Sequence, residues 1–322
     1  MKVLVTGATG FVGSHLVEAL RRRNAEVTAL VRSPGKAQAL ESQGVRLVAG
    51  DLHDPAALER AAAGQDVLFH VAGVVAAMNE AAFLRTNREG TAGLLEAAER
   101  ARVRRFVLVS SMAAGGPSAP GRPHTGAEPP RPVTAYGRSK LASEELVRAG
   151  RVPWTILRPP MVYGPRDREV LKVFRLARLG IAPVFGGGTQ ELSAIHGADL
   201  AQALIAAAVA ERAVGRLYYP CHPETFTSAA FVRSVGAALG RSVRVLRLPR
   251  PLGSAALSVT GAAARLAGRP TILTPDKANE FFQAAWTGDP RPLVEDTGWA
   301  AEFNIEGGLA HTYEWYRSAG WL

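Results

Sequence analysis

One cysteine, Cys221, stands among 322 residues. No intramolecular disulfide can form, and the expected compartment is a reducing one, the cytoplasm. The seven histidines show no HExxH or paired-ligand spacing, which removes the common helical zinc designs. No G-x-S-x-G segment is present, so a nucleophile elbow is excluded. Repeats and low-complexity linkers are also missing. Met1 to Val5 is too short for a secretory leader and runs at once into glycines. The longest weakly polar run, Pro251 to Leu266, is rich in Ala, Ser and Gly and too polar for a membrane span. It reads as a buried helix or a wall of the substrate pocket, with peripheral membrane contact as the alternative. Lysine is scarce, because 33 of the 38 basic residues are arginine. The net charge of +10 suits anionic ligands such as phosphates. The basic residues are scattered and carry no recognition motif, so nucleic acid is not an expected partner.

What is present is an ordinary globular composition, 47% hydrophobic and 20% charged, in a chain long enough to bury a substantial core. Its first half alternates short β-branched runs with longer amphipathic runs, the pattern of a parallel sheet flanked by helices. Strands are expected over 2–6, 26–31, 45–49, 66–70, 105–110 and 153–158. Helices are expected over 12–23, 134–149 and, as one long element, 80–101. Residues 113–132 are dense in Gly and Pro and read as a loop long enough to act as a functional flap.

Where the first strand becomes the first helix the chain reads Thr6-Gly7-Ala8-Thr9-Gly10-Phe11-Val12-Gly13. Gly7 permits the tight turn, Gly10 lets backbone approach a pyrophosphate, and Gly13 lets helix pack closely on strand. The helix N-terminus adds N–H donors and partial positive charge. The fold class implied is α/β, a Rossmann-type doubly wound parallel sheet. Residues 1–165 form the dinucleotide-binding domain, and 166–322 a smaller substrate-binding region whose stretch 195–215 packs back on the first. The second strand ends in Arg32, where an acidic residue would favour the ribose hydroxyls of NAD. An arginine there, with Lys36 close by, suits a 2′-phosphate, so NADP(H) is expected over NAD(H). The plain alternative is a solvated strand end. Farther on, Tyr136 and Lys140 share one helical face, where the cation would lower the phenol's pKa from about 10.

These residues belong to a longer ordered set: Gly50-Asp51-Leu52, His70-Val71-Ala72-Gly73, Thr86-Asn87-Arg88-Glu89-Gly90-Thr91, Val109-Ser110-Ser111 and Leu157-Arg158-Pro159-Pro160-Met161-Val162-Tyr163-Gly164-Pro165. Over roughly residues 1–200 the set resembles the extended short-chain dehydrogenase/reductases, the family of sugar-nucleotide epimerases and dehydratases, dihydroflavonol reductases and 3β-hydroxysteroid dehydrogenases. The resemblance implies that Gly7, Gly10, Phe11 and Val12 surround the pyrophosphate. Asp51 and Leu52 would hold the adenine edge and Ala72 the ribose side, while Pro159 and Val162 border the nicotinamide. It further implies that Ser111 bonds the substrate oxygen, Tyr136 moves the proton and Lys140 binds the nicotinamide ribose.

Two departures steer the function. Dehydratases carry an Asp-Glu pair after the catalytic hydroxyl residue, whereas Met112-Ala113 follow Ser111 here, so elimination lacks its acid and base. Leu192 stands where sugar-nucleotide enzymes place an arginine against the diphosphate. The expectation is a dehydrogenase or reductase acting on a carbonyl or hydroxyl of a relatively apolar small molecule. Its pocket wall would include Met161, Tyr163, Arg166 and Leu192. Nucleotide-sugar epimerisation is the alternative, and a non-catalytic dinucleotide-binding scaffold is the alternative of another class. No metal, no nucleic acid and no stable membrane insertion are expected, and a homodimer is compatible with the chain's size.

Overall fold

A computed structural model describes all 322 residues. Six strands follow the alternation of the first half: β1 (Lys2–Thr6), β2 (Glu26–Val31), β3 (Arg46–Ala49), β4 (Val67–His70), β5 (Arg105–Val109) and β6 (Trp154–Leu157). With a seventh strand, Arg216–Tyr218, they build one sheet in the order Arg216–Tyr218, β6, β5, β4, β1, β2, β3. Every pairing in it is parallel. A parallel sheet must be covered on both faces, and successive side chains of one strand serve opposite layers. Val3 and Val5 enter a core shared with helix Phe11–Arg22 and helix Gly197–Val209. Leu4 enters the opposite core, with helices Pro55–Ala62, Gly90–Arg100 and Ala135–Ala149. Each fully buried Val or Leu in these layers contributes about 1.5–3 kcal/mol.

A third core lies beyond the sheet. Phe174, Phe231, Val235, Leu309 and Tyr316 pack helices Glu169–Ala177, Ser228–Ala238 and Ile305–Ser318 together. Helix Gly197–Val209 carries the chain back under the main sheet between these two regions.

Three elements differ from the sequence expectation. The long helix over 80–101 is interrupted by a π turn at Arg85–Glu89, between helices Glu80–Leu84 and Gly90–Arg100. Asn87, at its centre, is the reason. Its Oδ1 accepts from Val74 N at 2.9 Å, its Nδ2 donates to Ser139 Oγ at 2.9 Å, and its carbonyl accepts from Ser143 Oγ at 2.8 Å. Such single π turns cluster at functional sites.

The segment 113–132 is not a free flap. Ser118 N donates to Ala285 O at 3.1 Å and His124 N to Thr287 O at 2.9 Å. The hydroxyls of Ser118 and Thr287 meet at 2.8 Å. The third correction concerns helix Arg250–Leu266, which is neither buried nor part of the cleft wall. Only Gly253, Leu257 and Gly261 of its 17 residues are buried.

Candidate active site

A cleft of about 1130 Å³ opens at the carboxyl edge of the sheet, beside β1 and β4, where the strand order reverses. Its floor is the glycine turn. Gly7 has φ +72°, a left-handed conformation that suits glycine. A Cβ at Gly13 would stand 2.1 Å from Gly7 O, so any side chain there would force helix Phe11–Arg22 off the strand. The helix is capped by Gly10, with no side-chain hydrogen bond to its first turn. Its leading N–H groups therefore remain for an anion. This cradle fits the diphosphate of a dinucleotide.

Fifteen expected residues line this one cleft: Gly7, Gly10, Phe11, Val12, Gly13, Arg32, Asp51, Leu52, Ala72, Ser111, Tyr136, Lys140, Pro159, Val162 and Arg166. Arg32 is exposed at the exit of β2. Asp51 accepts a hydrogen bond from His53 N at 2.7 Å. Arg166, with φ +74°, pairs with Glu18 and reaches His15 Nδ1 at 3.3 Å, which holds the 165–168 turn against the first helix.

Four expected residues are placed elsewhere. Lys36 is exposed in the one-turn helix Pro34–Lys36 and does not line the cleft. Tyr163 is 0% exposed, and its hydroxyl meets His222 Nε2 at 2.9 Å, so it is a core residue. Met161 packs against the third core. Leu192 pairs with Phe226 and Trp286 in a small three-stranded sheet.

Ser111, Tyr136 and Lys140 are set on the cleft by two local caps and one tertiary hydrogen bond. Ser111 lies two residues beyond β5 and caps the short helix Met112–Gly115, its Oγ accepting from Ala113 N at 3.2 Å. Thr134 caps helix Ala135–Ala149 through Gly137 N, at 3.2 Å, and so starts the element that carries the Tyr and Lys one turn apart. Lys140 is buried, and its Nζ donates to Val109 O at 2.8 Å. Burial pushes this amine down to about 8, with the Glu144 carboxylate opposing. The phenol behaves differently from the sequence expectation. Burial pushes Tyr136 up to about 12, a hydrogen bond with Ser111 opposes this, and Glu280 adds to the rise. The lysine turns its proton to a backbone carbonyl, so sharing a helical face does not make it the phenol's partner.

Sequence reasoning missed a second group of residues around the tyrosine. Asp276 Oδ2 accepts from Ala135 N at 2.9 Å, and Glu280 Oε1 accepts from Thr134 Oγ1 at 2.7 Å. Lys277 Nζ stands 5.8 Å from the Tyr136 ring centroid. About 140 residues separate these partners, and no spacing signal spans such a distance. Arg85 and Trp321 also line the cleft, the latter next to the last residue of the chain. His70 links the halves: its Nδ1 meets Thr6 Oγ1 at 2.8 Å and its Nε2 meets Thr91 Oγ1 at 3.0 Å. Burial, and secondarily Lys140, pushes it down to about 3, so it is a neutral structural ring.

The sequence model of the NAD dependent epimerase/dehydratase family matches residues 3–218. The chain belongs to that family. It is thus a pyridine-nucleotide-dependent enzyme of the extended short-chain dehydrogenase/reductase type. The ceramide reductase of Caulobacter vibrioides (strain NA1000 / CB15N) is 36% identical over 99% of this chain and 96% of its own length. A 4-hydroxy-2-methyl-3-oxo-4-farnesyl-3,4-dihydroquinoline-1-oxide ketoreductase of Stigmatella aurantiaca is 34% identical over 68% of this chain and 67% of its own. Among solved structures, MoeE5 in complex with UDP-glucose and NAD superposes with a TM-score of 0.78 and 26% identity, covering 99% of each chain. Relatives named as reductases and a structural neighbour holding a nucleotide sugar thus frame one common fold.

Proposed function

We propose that the protein is an NAD(P)H-dependent reductase of a carbonyl group on an apolar, lipid-like small molecule. The observation that carries this reading is the convergence of Ser111, Tyr136 and Lys140 on the cleft that also holds the glycine cradle. The bound nicotinamide supplies a hydride to the carbonyl carbon. Tyr136 Oη donates its proton to the carbonyl oxygen, and the alcohol is the product. The Ser111 hydroxyl donates a hydrogen bond to the same oxygen as negative charge develops there. Lys140, with its proton held at Nζ near neutral pH, would hold the nicotinamide ribose. Pro159 and Val162 would border the nicotinamide, Asp51 and Leu52 the adenine.

Arg32 supports NADP(H) over NAD(H), because its exposed guanidinium at the end of β2 suits a 2′-phosphate and no carboxylate occupies the position. Met112-Ala113 after Ser111 leaves elimination without its acid and base, which favours simple hydride transfer. The relatives named for ceramide and for a farnesyl-bearing ketone support an apolar substrate.

The test is a substrate screen following NADPH absorbance, with long-chain ketones set against UDP-sugars. Turnover of the ketones is the expected result. Tight UDP-sugar binding with 4-epimerisation would replace this reading by the epimerase one, and nucleotide binding without turnover would leave a scaffold.

A further inference from the structure

The segment from Thr225 to Pro275 contains seven arginines and no aspartate, glutamate or lysine. It supplies seven of the chain's ten net positive charges; the remaining 271 residues hold 31 basic and 28 acidic residues. All seven arginines, at 233, 241, 244, 247, 250, 265 and 269, are exposed. None lies within 4.0 Å of a carboxylate; Arg241 donates to a backbone carbonyl, and Arg250 stacks over Phe282. Unpaired positive charge gathered in one stretch of chain, with Arg233, Arg244 and Arg247 lining one surface hollow, favours an anionic partner.

Helix Arg250–Leu266 sits within this segment, and its apolar residues face two ways. Gly253, Leu257 and Gly261 form the buried seam, where the glycines let Phe185, Phe282 and Pro275 approach closely. At about 100° per residue, Leu252, Val259 and Leu266 fall on the opposite side. They are 63%, 69% and 91% exposed. Exposed Ala255, Ala256, Ala262 and Ala263 fill the same row. The helix is too short and too polar to cross a bilayer, but an apolar row on a helix with arginines at its two ends is the composition of one that lies on a bilayer.

We propose that helix Arg250–Leu266 and its flanking arginines dock on a bilayer surface that carries anionic phospholipid. Charge decides between occupants. A second copy laid against this row would set two basic surfaces together, neither with a carboxylate to offer the other's arginines. A nucleic acid would leave Leu252, Val259 and Leu266 uncovered. An anionic bilayer takes both, with acyl chains under the row and phosphates against the guanidiniums. The docking surface is also mechanically close to the proton donor. Thr260 Oγ1 donates to Leu273 O at 2.8 Å, and three residues later Asp276 caps Ala135, the neighbour of Tyr136.

Flotation with vesicles of phosphatidylcholine, with and without phosphatidylglycerol, tests this without any substrate, so it stands or falls apart from the reductase reading. The protein floats with the anionic vesicles, not with pure phosphatidylcholine, and is released by salt. Leu252→Ser/Val259→Ser/Leu266→Ser abolishes flotation with the melting temperature kept, since these side chains touch water. Arg265→Gln/Arg269→Gln lowers partitioning about fivefold per charge. Equal flotation with both vesicle types overturns the proposal, as does anionic-vesicle binding by the triple serine variant at the parent's level. It also fails if the serine variant dissociates a dimer that ignores vesicles, or if duplex DNA is bound in place of them.

Discussion

Glu144 and Arg158 form a two-pronged ion pair sealed from water, with Arg158 Nε and Nη2 donating to the two carboxylate oxygens at 2.8 and 2.7 Å. Glu144 belongs to the helix that carries Tyr136, and Arg158 follows β6. The third guanidinium nitrogen donates to Tyr219 Oη at 2.7 Å, and Ser110 Oγ donates to Glu144. The pair therefore fixes the tyrosine helix against the sheet's carboxyl edge.

Removing one partner strands a charge. Arg158→Met should cost about 3–5 kcal/mol of unfolding free energy, read by urea denaturation. Arg158→Met with Glu144→Leu should recover much of that loss, because no buried charge is then unpaired. Equal stability of the single and double variants would deny the sealed pair its role.

Tyr136→Phe should lower turnover by about 10²–10⁴-fold while leaving cofactor affinity nearly intact, because only the acidic hydroxyl is lost. Steady-state kinetics beside a fluorescence titration of NADPH separates the two effects. A Phe variant with near-normal turnover would place the proton donor elsewhere and end the catalytic assignment.

Lys140 supplies a pH signature. Its folded pKa of about 8 lies below the ordinary lysine value of about 10.5, so the unfolded chain binds the proton more tightly. The penalty of a buried ammonium is full below pH about 8 and is relieved as pH climbs from there toward 10.5. The protein should accordingly gain stability relative to Lys140→Met over that window. Parallel melting curves at neutral pH and near pH 10 check this, and a constant difference would show that the amine is not desolvated.

For Arg32 the expected outcome is a switch of cofactor preference. Arg32→Asp should narrow or reverse a preference for NADPH over NADH, since a carboxylate repels the 2′-phosphate yet accepts ribose hydroxyls. Equal affinities of the unmutated protein for the two nucleotides would show that Arg32 is a solvated strand end.

Much of this molecule was legible where the causes are local. The alternation of Val3, Leu4 and Val5, the glycine spacing from Gly7 to Gly13 and the four-residue step from Tyr136 to Lys140 are short-range patterns, and each sits in the expected element. What escaped depends on partners far along the chain. Tyr163 reads as a pocket aromatic until His222 takes its hydroxyl. The π turn at Asn87 follows from contacts with Val74, Ser139 and Ser143, not from its own helix. Lys140 could be placed from sequence, but the direction of its proton could not, because Val109 O is a tertiary neighbour. Helix Arg250–Leu266, expected to be buried or to wall the pocket, is mostly exposed for the converse reason: a weakly polar composition does not say how much of a helix meets the protein.

The seam joining Ser118 and His124 to residues 285–287 has a consequence for how such an enzyme changes its diet. The segment expected to act as a flap is stitched to a segment some 165 positions later, and the buried hydroxyls of Ser118 and Thr287 satisfy each other. Retargeting is therefore a two-piece operation. A relative's loop transplanted without its matching downstream segment arrives with orphaned hydrogen bonds, whereas the two transplanted together bring their own. The glycine turn and the end of β2, which touch neither stitch, can be inherited unchanged while the two pieces diverge as a pair.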